Sequence, residues 1–239
     1  MKLDIQKLHT TPLGVERIKR NLNLQVEDAI LWCKEAVAKS DLSIQIGKNW
    51  YVYSGGAVFT INAKSHTIIT AHKIGARILI MTEEHYECLE EFLYQAIYIP
   101  KGEEWPPRSI VTDDSNIHIY IKDFGSQAGD LGVVAQCKSS RQIIGAAWTR
   151  IIPTYGHLDE NTPELATSLF KEWRGLGIGT KMMKKLFELL QQNGYARISL
   201  SVQQNNPAVR FYKRLGYVIT EEKLDHAGHE DYIMVKKLI

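Results

Sequence analysis

Glu164-Leu-Ala-Thr-Ser-Leu-Phe170 is an apolar run, and Lys171-Glu-Trp-Arg-Gly-Leu-Gly-Ile-Gly-Thr180 follows it without a break. The run predicts a strand, because it is short, largely apolar and bounded by a turn signal. Beyond it, apolar residues recur at the spacing of one helix face, with lysines on the other face, at Met182, Met183, Leu186, Phe187 and Leu190. The glycines at 175, 177 and 179 therefore belong to a turn between a strand and the N-terminus of a helix.

This turn has the composition of an anion site. Glycine tolerates positive φ and lets a ligand approach the main chain, and the first amides of a helix have no partner within the helix. The positive end of the helix dipole adds to the attraction, so a diphosphate is the expected occupant. The order Gly179-Thr180-Lys181 does not fit a Walker P-loop, and the spacing does not fit G-x-G-x-x-G. Glycines that serve packing alone remain the alternative at this point.

A second segment with strand and helix signals lies downstream of this helix. Ile198–Val202 is a predicted strand, and Asn206 followed by Pro207 has the pattern of a helix N-cap and first turn. Gly216 then predicts the end of that helix.

The two segments together resemble the motifs of the Gcn5-related N-acetyltransferase (GNAT) superfamily. The first is Arg174-x-x-Gly177-x-Gly179, and the second runs Asn205-x-x-Ala208-x-x-Phe211-Tyr212 and ends at Gly216-Tyr217. The resemblance covers residues 76–239 and implies an α/β (α+β) fold with a mixed central sheet flanked by helices. It also implies acetyl-CoA as cofactor and N-acetyltransferase activity. The acetyl group would pass to a primary amine of an unidentified small molecule or protein by direct attack in a ternary complex.

The resemblance also implies roles for individual residues. Tyr212 is expected to protonate the departing thiolate, with an aromatic packing role as the alternative. Glu164 is expected to be the base, with a strand-end surface carboxylate as the alternative. The resemblance also implies that Glu164 faces the acceptor. From their position in loops, Trp105 and Tyr155 are expected to contact the acceptor too, and His157, Asp159 and Glu160 are further candidates. The residues expected to bind the cofactor are Thr167, Ser168, Leu169, Phe170, Arg174, Gly175, Leu176, Gly177, Ile178, Gly179, Thr180, Asn205, Ala208, Phe211 and Tyr212.

Residues 1–75 do not fit these motifs and predict a separate small α+β domain. Helices are expected at Pro12–Leu22 and Val26–Ala38, followed by a four-strand meander. The segments Leu8-His-Thr-Thr, Gly47-Lys-Asn-Trp-Tyr and Thr67-Ile-Ile-Thr-Ala-His72 resemble a small uncharacterised bacterial domain. The helix-helix-sheet order is also that of small ribonuclease toxins. Residue types suited to RNA cleavage, which could equally cap turns or lie on a surface, are His9, Arg17, Lys48, His66, Thr70 and His72.

Composition restricts the class of protein. The formal net charge is +2, although residues 1–75 hold ten basic residues against six acidic ones, so RNA or protein contact through this domain remains open. Cys33, Cys88 and Cys137 are scattered, which favours a reducing cytoplasm over a disulfide framework. An apolar signal core and a span of about 18 uncharged residues are both lacking, so a cytoplasmic protein without a membrane partner is expected.

Three further questions stay open at the level of sequence. The Asp225–Asp231 segment contains H-x-x-H, but it has the composition of a solvated polar turn, so no metal is expected there. The chain could be an acetyl-CoA-binding regulatory module instead of an enzyme, or an RNA- or tRNA-associated protein whose first domain is nuclease-like. A homodimer is compatible with the sequence, which contains nothing that decides the oligomeric state.

Overall fold

The structure is a computed structural model that describes residues 3–40, 42–54, 56–73, 75–100, 102–138, 140–154, 156–224 and 228–239. The chain forms two compact units. The first comprises Met1–Ala76, Cys137–Ser140 and Lys171–Leu176, and the second comprises Arg77–Gln136, Arg141–Phe170 and Gly177–Ile239. The domain boundary predicted between residues 75 and 76 stays a prediction.

The first unit contains two helices followed by an antiparallel meander, as the sequence predicted. Thr11 caps the first helix, because its Oγ1 accepts a hydrogen bond from the Gly14 amide at 3.1 Å. Asp28 caps the second helix, which therefore begins at Ala29 and not at Val26. The elements are α1 (Pro12–Leu22), α2 (Ala29–Ala38), β1 (Leu42–Ile46), β2 (Asn49–Ser54), β3 (Ala57–Asn62) and β4 (Ile68–Lys73), in the sheet order β1-β2-β3-β4.

The core of this unit lies between the helices and one face of its sheet. Buried side chains from both helices and from the three strands β2, β3 and β4 form one cluster, which includes Ile18, Leu22, Cys33, Val37, Val52, Phe59, Ile61 and Ile68. The Leu8-His-Thr-Thr segment attaches to the start of β4, where the Ile68 amide donates to the His9 carbonyl at 2.8 Å. The Thr10 hydroxyl donates to the Ile68 carbonyl at 2.7 Å. This part of the motif therefore has a structural role.

The second unit is built on a mixed sheet with strand order β10-β11-β9-β8-β7-β6-β5. Its strands are β5 (Ala76–Ile80), β6 (Leu131–Cys137), β7 (Ile143–Arg150), β8 (Glu164–Leu169), β9 (Arg197–Gln203), β10 (Val218–Leu224) and β11 (Glu230–Lys237). Its helices are α3 (Cys88–Ala96), α4 (Ile110–Asp113), α5 (Ser115–His118), α6 (Ile178–Gln192) and α7 (Ala208–Arg214). The predicted fold class, a mixed sheet with flanking helices after a small helix-helix-sheet domain, is confirmed.

The two central strands β8 and β9 separate soon after they meet. They run parallel and share one registered pair, Glu164 with Ser199, whereas β8 pairs with β7 along its whole length. On its other side, β9 pairs with β11 from Arg197 to Gln203. Beyond Ser199 the facing edges of β8 and β9 therefore diverge and leave a gap in the middle of the sheet.

The sequence of residues 116–124 predicts one helix from Asn116 to Phe124, and the structure corrects this prediction. Helix α5 ends at His118, and turns continue to Gly125, with Asp123 in the left-handed region at φ 52°. Side chains of β7 donate hydrogen bonds to the carbonyls that a longer helix would have used. The Arg150 guanidinium donates to the carbonyls of Ile119 and Lys122, and the Trp148 indole donates to the Tyr120 carbonyl at 3.0 Å.

Arg150 also forms a buried ion pair. Its Nε lies 2.8 Å from Oδ1 of Asp130, and the two side chains are 3% and 0% exposed. The other carboxylate oxygen of Asp130 accepts from the amides of Gly125 and Gln127. The pair thus connects β7 to both ends of the irregular segment that follows α5.

The described residues contain no helix with the length and apolar composition needed to cross a membrane.

Asp130→Asn tests the ion pair. The substitution leaves the buried Arg150 without its counter-charge, so we expect the free energy of unfolding to fall by about 3–5 kcal/mol in urea titrations. Glu188→Gln, which removes an exposed partner of Lys185 on α6, is the control and should cost at most about 1 kcal/mol. A loss for Asp130→Asn no larger than that of the control would contradict this role of the pair.

Candidate active site

The gap between β8 and β9 contains a cavity of about 230 Å³. Leu165–Thr167 line it from β8, and Ser201–Gln203 line it from β9. The remainder of the lining includes Tyr212 of α7 and the carboxylate-bearing residues Glu164 and Asp231. Because the strands are not paired here, their facing backbone groups are open to a ligand in extended conformation.

Glu164 is buried at the point where the strands separate. It is 2% exposed, and its Oε1 accepts a hydrogen bond from the Tyr120 hydroxyl at 2.7 Å. The Thr154 hydroxyl donates to Oε2, and the Gly156 amide donates to the same carboxylate. Burial raises the pKa of Glu164 above its usual value, while these three donors favour the charged form and act in the opposite direction. The carboxylate can therefore exchange a proton closer to neutral pH than an exposed glutamate can.

The loop after β7 fits closely around this carboxylate. A Cβ at Gly156 would lie 2.5 Å from Oε1 of Glu164, so only glycine allows this approach. Tyr120 is fixed from the other side, because its own carbonyl and the carbonyls of Ile119 and Lys122 are bound by Trp148 and Arg150. Burial, followed by the charge of Glu164, raises the pKa of Tyr120 well above the usual value, so its hydroxyl keeps its proton and donates.

Tyr212 lines the same cavity from α7. Burial raises the pKa of its phenol to about 12, so the hydroxyl carries a proton at neutral pH. The neighbouring Phe211 lies against the start of α6, where a Cβ added to Gly179 would be 3.5 Å from its ring. Adjacent aromatic residues thus serve the cavity and the packing of α6, respectively.

The first turn of α6 is open to an anion. Gly175 and Gly177 have φ of 76° and 74°, and a Cβ on either glycine would have no atom within 4 Å. The helix has Gly177 as its N-cap, with no side-chain cap and no acidic residue in the first turn. The amides of Ile178, Gly179 and Thr180 are therefore available at the positive end of the helix dipole.

The residues of β8 that were predicted to bind the cofactor have different surroundings. Thr167 lines the cavity, whereas the Ser168 hydroxyl donates to the Phe92 carbonyl at 2.6 Å and anchors α3. Leu169 belongs to the buried core, and Phe170 packs on Phe92 at 5.0 Å. These placements leave main-chain contact as the way in which this end of β8 could hold a ligand.

Around α7, the exposed Asn205 presents its carbonyl to the Tyr98 hydroxyl at 3.2 Å. Its neighbour Asn206 lines the cavity, and its Oδ1 accepts a hydrogen bond from the amide of Ala208, the first residue of α7, at 2.9 Å. Arg174 is exposed in the turn before α6.

The residues predicted to contact the acceptor are not all brought together. Trp105 is 53% exposed and packs on Tyr94 at 5.4 Å, and it does not line the cavity. Tyr155 lies outside the described residues. Asp159 pairs with Arg197 at the start of β9, away from the lining.

Three residues at the site were missed by the sequence analysis. Tyr120 and Thr154 bind Glu164, and Asp231 lies 7% exposed in β11, where a solvated polar turn was expected. The apolar run Tyr232-Ile-Met-Val235 predicts a strand that could have been extended back to Asp231, but nothing in the sequence indicates that Tyr120 meets Glu164, because 44 positions separate them.

The RNA-related candidates of the first unit make internal contacts. His9 bonds to Thr67 at 3.1 Å, the Thr70 hydroxyl accepts from Asn21 at 3.4 Å, and Arg17 reaches the Ile69 carbonyl at 3.5 Å. An RNA role stays a prediction. Within the ranges that the structure describes, no three His, Cys, Asp or Glu side chains are grouped as a metal site, and residues 225–227 lie outside those ranges.

Comparison with known families divides the chain in two. A family model described as "Acetyltransferase (GNAT) family" matches residues 91–217, and one for a protein of unknown function, DUF3781, matches residues 3–72. The predicted resemblance of both parts is confirmed.

Two curated relatives match part of the chain. The chain is similar to a mycothiol acetyltransferase of Corynebacterium jeikeium, with 28% identity over 125 residues that make up 48% of this chain and 36% of the relative. It is also similar to a probable spermine N(1)-acetyltransferase of Bacillus subtilis subsp. natto, with 34% identity over 100 residues, 40% of this chain and 64% of the relative. The chain thus spans less than two thirds of each relative.

A solved structure, the GNAT-family acetyltransferase from Streptococcus pneumoniae, shares the fold. The TM-score is 0.51 with 19% identity, over 68% of this chain and 99% of that one.

GNAT acetyltransferases use acetyl-CoA, and the site fits this donor. Gly175 and Gly177 leave open space beside the main chain, and the first amides of α6 have no side-chain cap, so this turn suits a diphosphate. The open edge of β8 suits the pantetheine arm, which carries amide groups. Acetyl-CoA would supply the acetyl group as a thioester.

Tyr120→Phe tests the environment of Glu164. The Tyr120 hydroxyl donates to the charged form of Glu164, so its removal should raise the pKa of Glu164 further. Infrared difference spectra of the carboxyl group across pH would measure this pKa. Tyr217→Phe is the control, because the Tyr217 hydroxyl has no hydrogen-bond partner among the described residues and Tyr217 does not line the cavity. A pKa that is unchanged or lower in Tyr120→Phe would contradict the arrangement.

Proposed function

Because this chain belongs to the GNAT acetyltransferase family, we propose that it transfers an acetyl group from acetyl-CoA to a primary amine of a small molecule or protein. The amine attacks directly while both substrates are bound. The observation that carries the proposal is the buried Glu164 in the cavity between β8 and β9, which Tyr212 also lines.

The chain's first task is to hold the donor. The amides of Ile178, Gly179 and Thr180 bind the diphosphate, and Arg174 adds a charge-assisted hydrogen bond. The main chain of Thr167–Leu169 pairs with the pantetheine arm along the open edge of β8. Positioning of this kind lowers the barrier by removing the entropy of bringing two reactants together.

Glu164 then acts as the base. An amine attacks only in its neutral form, and most alkyl amines are protonated at neutral pH. A carboxylate with a raised pKa takes the proton directly or through a water molecule. Tyr120, Thr154 and Gly156 fix the orientation of this carboxylate and leave it facing the cavity.

Tyr212 completes the proton balance. As the amine nitrogen bonds to the acetyl carbon, the carbon–sulfur bond breaks and the sulfur receives the Tyr212 proton. Glu164 passes the first proton of the ammonium group to solvent and takes the second as the amide forms, and solvent then restores both side chains. A phenol with a pKa of about 12 is protonated at neutral pH, so a proton is present when the thiolate forms.

The proposal does not take its acceptor from the relatives. One is named for mycothiol and the other for spermine, and each match covers less than half of this chain. The decisive experiment is a panel of amines assayed with the full chain and acetyl-CoA, with release of free CoA as the readout. Steady release with at least one amine supports the proposal. Acetyl-CoA binding without turnover on any amine would favour a regulatory module.

Glu164→Gln should lower kcat/KM by about 10²-fold or more, because the base is lost. In the unsubstituted protein the rate should rise with pH through the raised pKa of Glu164, since only the carboxylate accepts a proton. The Glu164→Gln variant should lose this rise of the rate with pH and should keep the Kd of acetyl-CoA unchanged. Glu188→Gln is the exposed control. An unaltered pH profile in Glu164→Gln would rule out Glu164 as the base.

Tyr212→Phe should lower kcat by about 10²-fold without abolishing activity, because a thiolate is a weak base that can leave unprotonated. Tyr217→Phe is the matched control, since it removes a buried phenol hydroxyl outside the cavity lining. Pre-steady-state measurement of CoA release separates chemistry from product release. Equal rates for the two variants would leave Tyr212 with a packing role only.

A further inference from the structure

The cavity contains a second carboxylate, which the proposed function does not use. Asp231 is 7% exposed and lines the cavity from β11, where it is paired with Gln203 of β9. Its Oδ2 accepts a hydrogen bond from the hydroxyl of Ser201, which also lines the cavity. Asp231 therefore lies on the β9 side of the gap, whereas Glu164 lies at the start of β8.

Both carboxylates affect Tyr120, which lines the same cavity. The charges of Glu164 and of Asp231 each raise the pKa of Tyr120, which places this phenol within electrostatic range of both. The remaining lining is apolar or neutral and includes the rings of Tyr98 and Tyr212. Among the described residues that line the cavity, none is Lys, Arg or His.

We infer that Asp231 binds a second cationic group of the acceptor, which makes the acceptor an aliphatic diamine or polyamine. This inference rests on the proposed function. The reacting amine gives its proton to Glu164 and becomes neutral, so it is not the group that Asp231 holds. A second amino group on the same molecule, which stays protonated, can form an ion pair with Asp231. Tyrosine rings can contact both methylene groups and cations.

The sign of the charge also excludes acceptors. An anionic group next to the reacting amine would meet two carboxylates in a site of low dielectric, where repulsion is stronger than in water. An uncharged tail would gain only apolar contacts. The cavity should therefore discriminate by charge among amines of equal length.

The test uses the full chain with putrescine and n-butylamine, which share the same carbon chain and differ in one amino group. Wild type should prefer putrescine, and Asp231→Asn should raise the KM for putrescine on the order of 30-fold more than it raises the KM for n-butylamine. Asp231→Glu should restore part of the preference because it keeps the charge. Glu188→Gln serves as the control for loss of an exposed carboxylate. A merely structural role for Asp231 would instead affect both amines equally.

Calorimetric titration of each amine into the protein saturated with CoA adds a readout that needs no chemistry. Turnover of both amines with no preference, or an equal effect of Asp231→Asn on both, overturns the inference and leaves the proposed function intact. Putrescine binding that depends on Asp231, without turnover, supports the cation site and contradicts the proposed transfer. Absence of both binding and turnover contradicts both.

Discussion

The separation of β8 from β9 is the constraint on which the site depends. Two parallel strands in the middle of a sheet ordinarily satisfy each other's backbone groups, yet here they share the single pair of Glu164 with Ser199. Each strand keeps a full partner on its other side, β7 for one and β11 for the other, so the sheet persists while the facing edges remain available. The cavity, its two carboxylates and its open main chain all follow from this divergence.

The site is connected to the core through β7. Arg150 is registered opposite Glu164 in the β7–β8 ladder, and its buried side chain binds Asp130 and the carbonyls on either side of Tyr120. The ion pair thus fixes the segment whose hydroxyl binds the Glu164 carboxylate. A buried pair is often neutral for stability compared with apolar residues, so its contribution here is better understood as one of position.

Local signals in the sequence were sufficient for the elements and for part of the site. The turn at Gly177 and the helix after it were predictable because glycine, apolar spacing and capping act over a few residues. The place of Glu164 at the start of β8 followed in the same way. Its burial did not, because that depends on Tyr120 and Thr154, which approach through tertiary structure.

The surroundings of two other residues, Trp105 and Asp231, were also not predictable from the sequence. Trp105 was expected at the acceptor site, and the structure places it on Tyr94, outside the lining of the cavity. Asp231 was assigned to a polar turn from the composition of its neighbours, whereas β11 carries it into the sheet beside Gln203. Composition reports the average environment of a segment and does not indicate which strand position faces a cavity.

The structure of the full chain crystallised with acetyl-CoA tests the central claim most directly. The account predicts the diphosphate on the amides of residues 178–180, the pantetheine arm along the open edge of β8, and the sulfur within hydrogen-bond distance of the Tyr212 hydroxyl. Strands β8 and β9 paired beyond Ser199, or a thioester bound outside the gap, would contradict it.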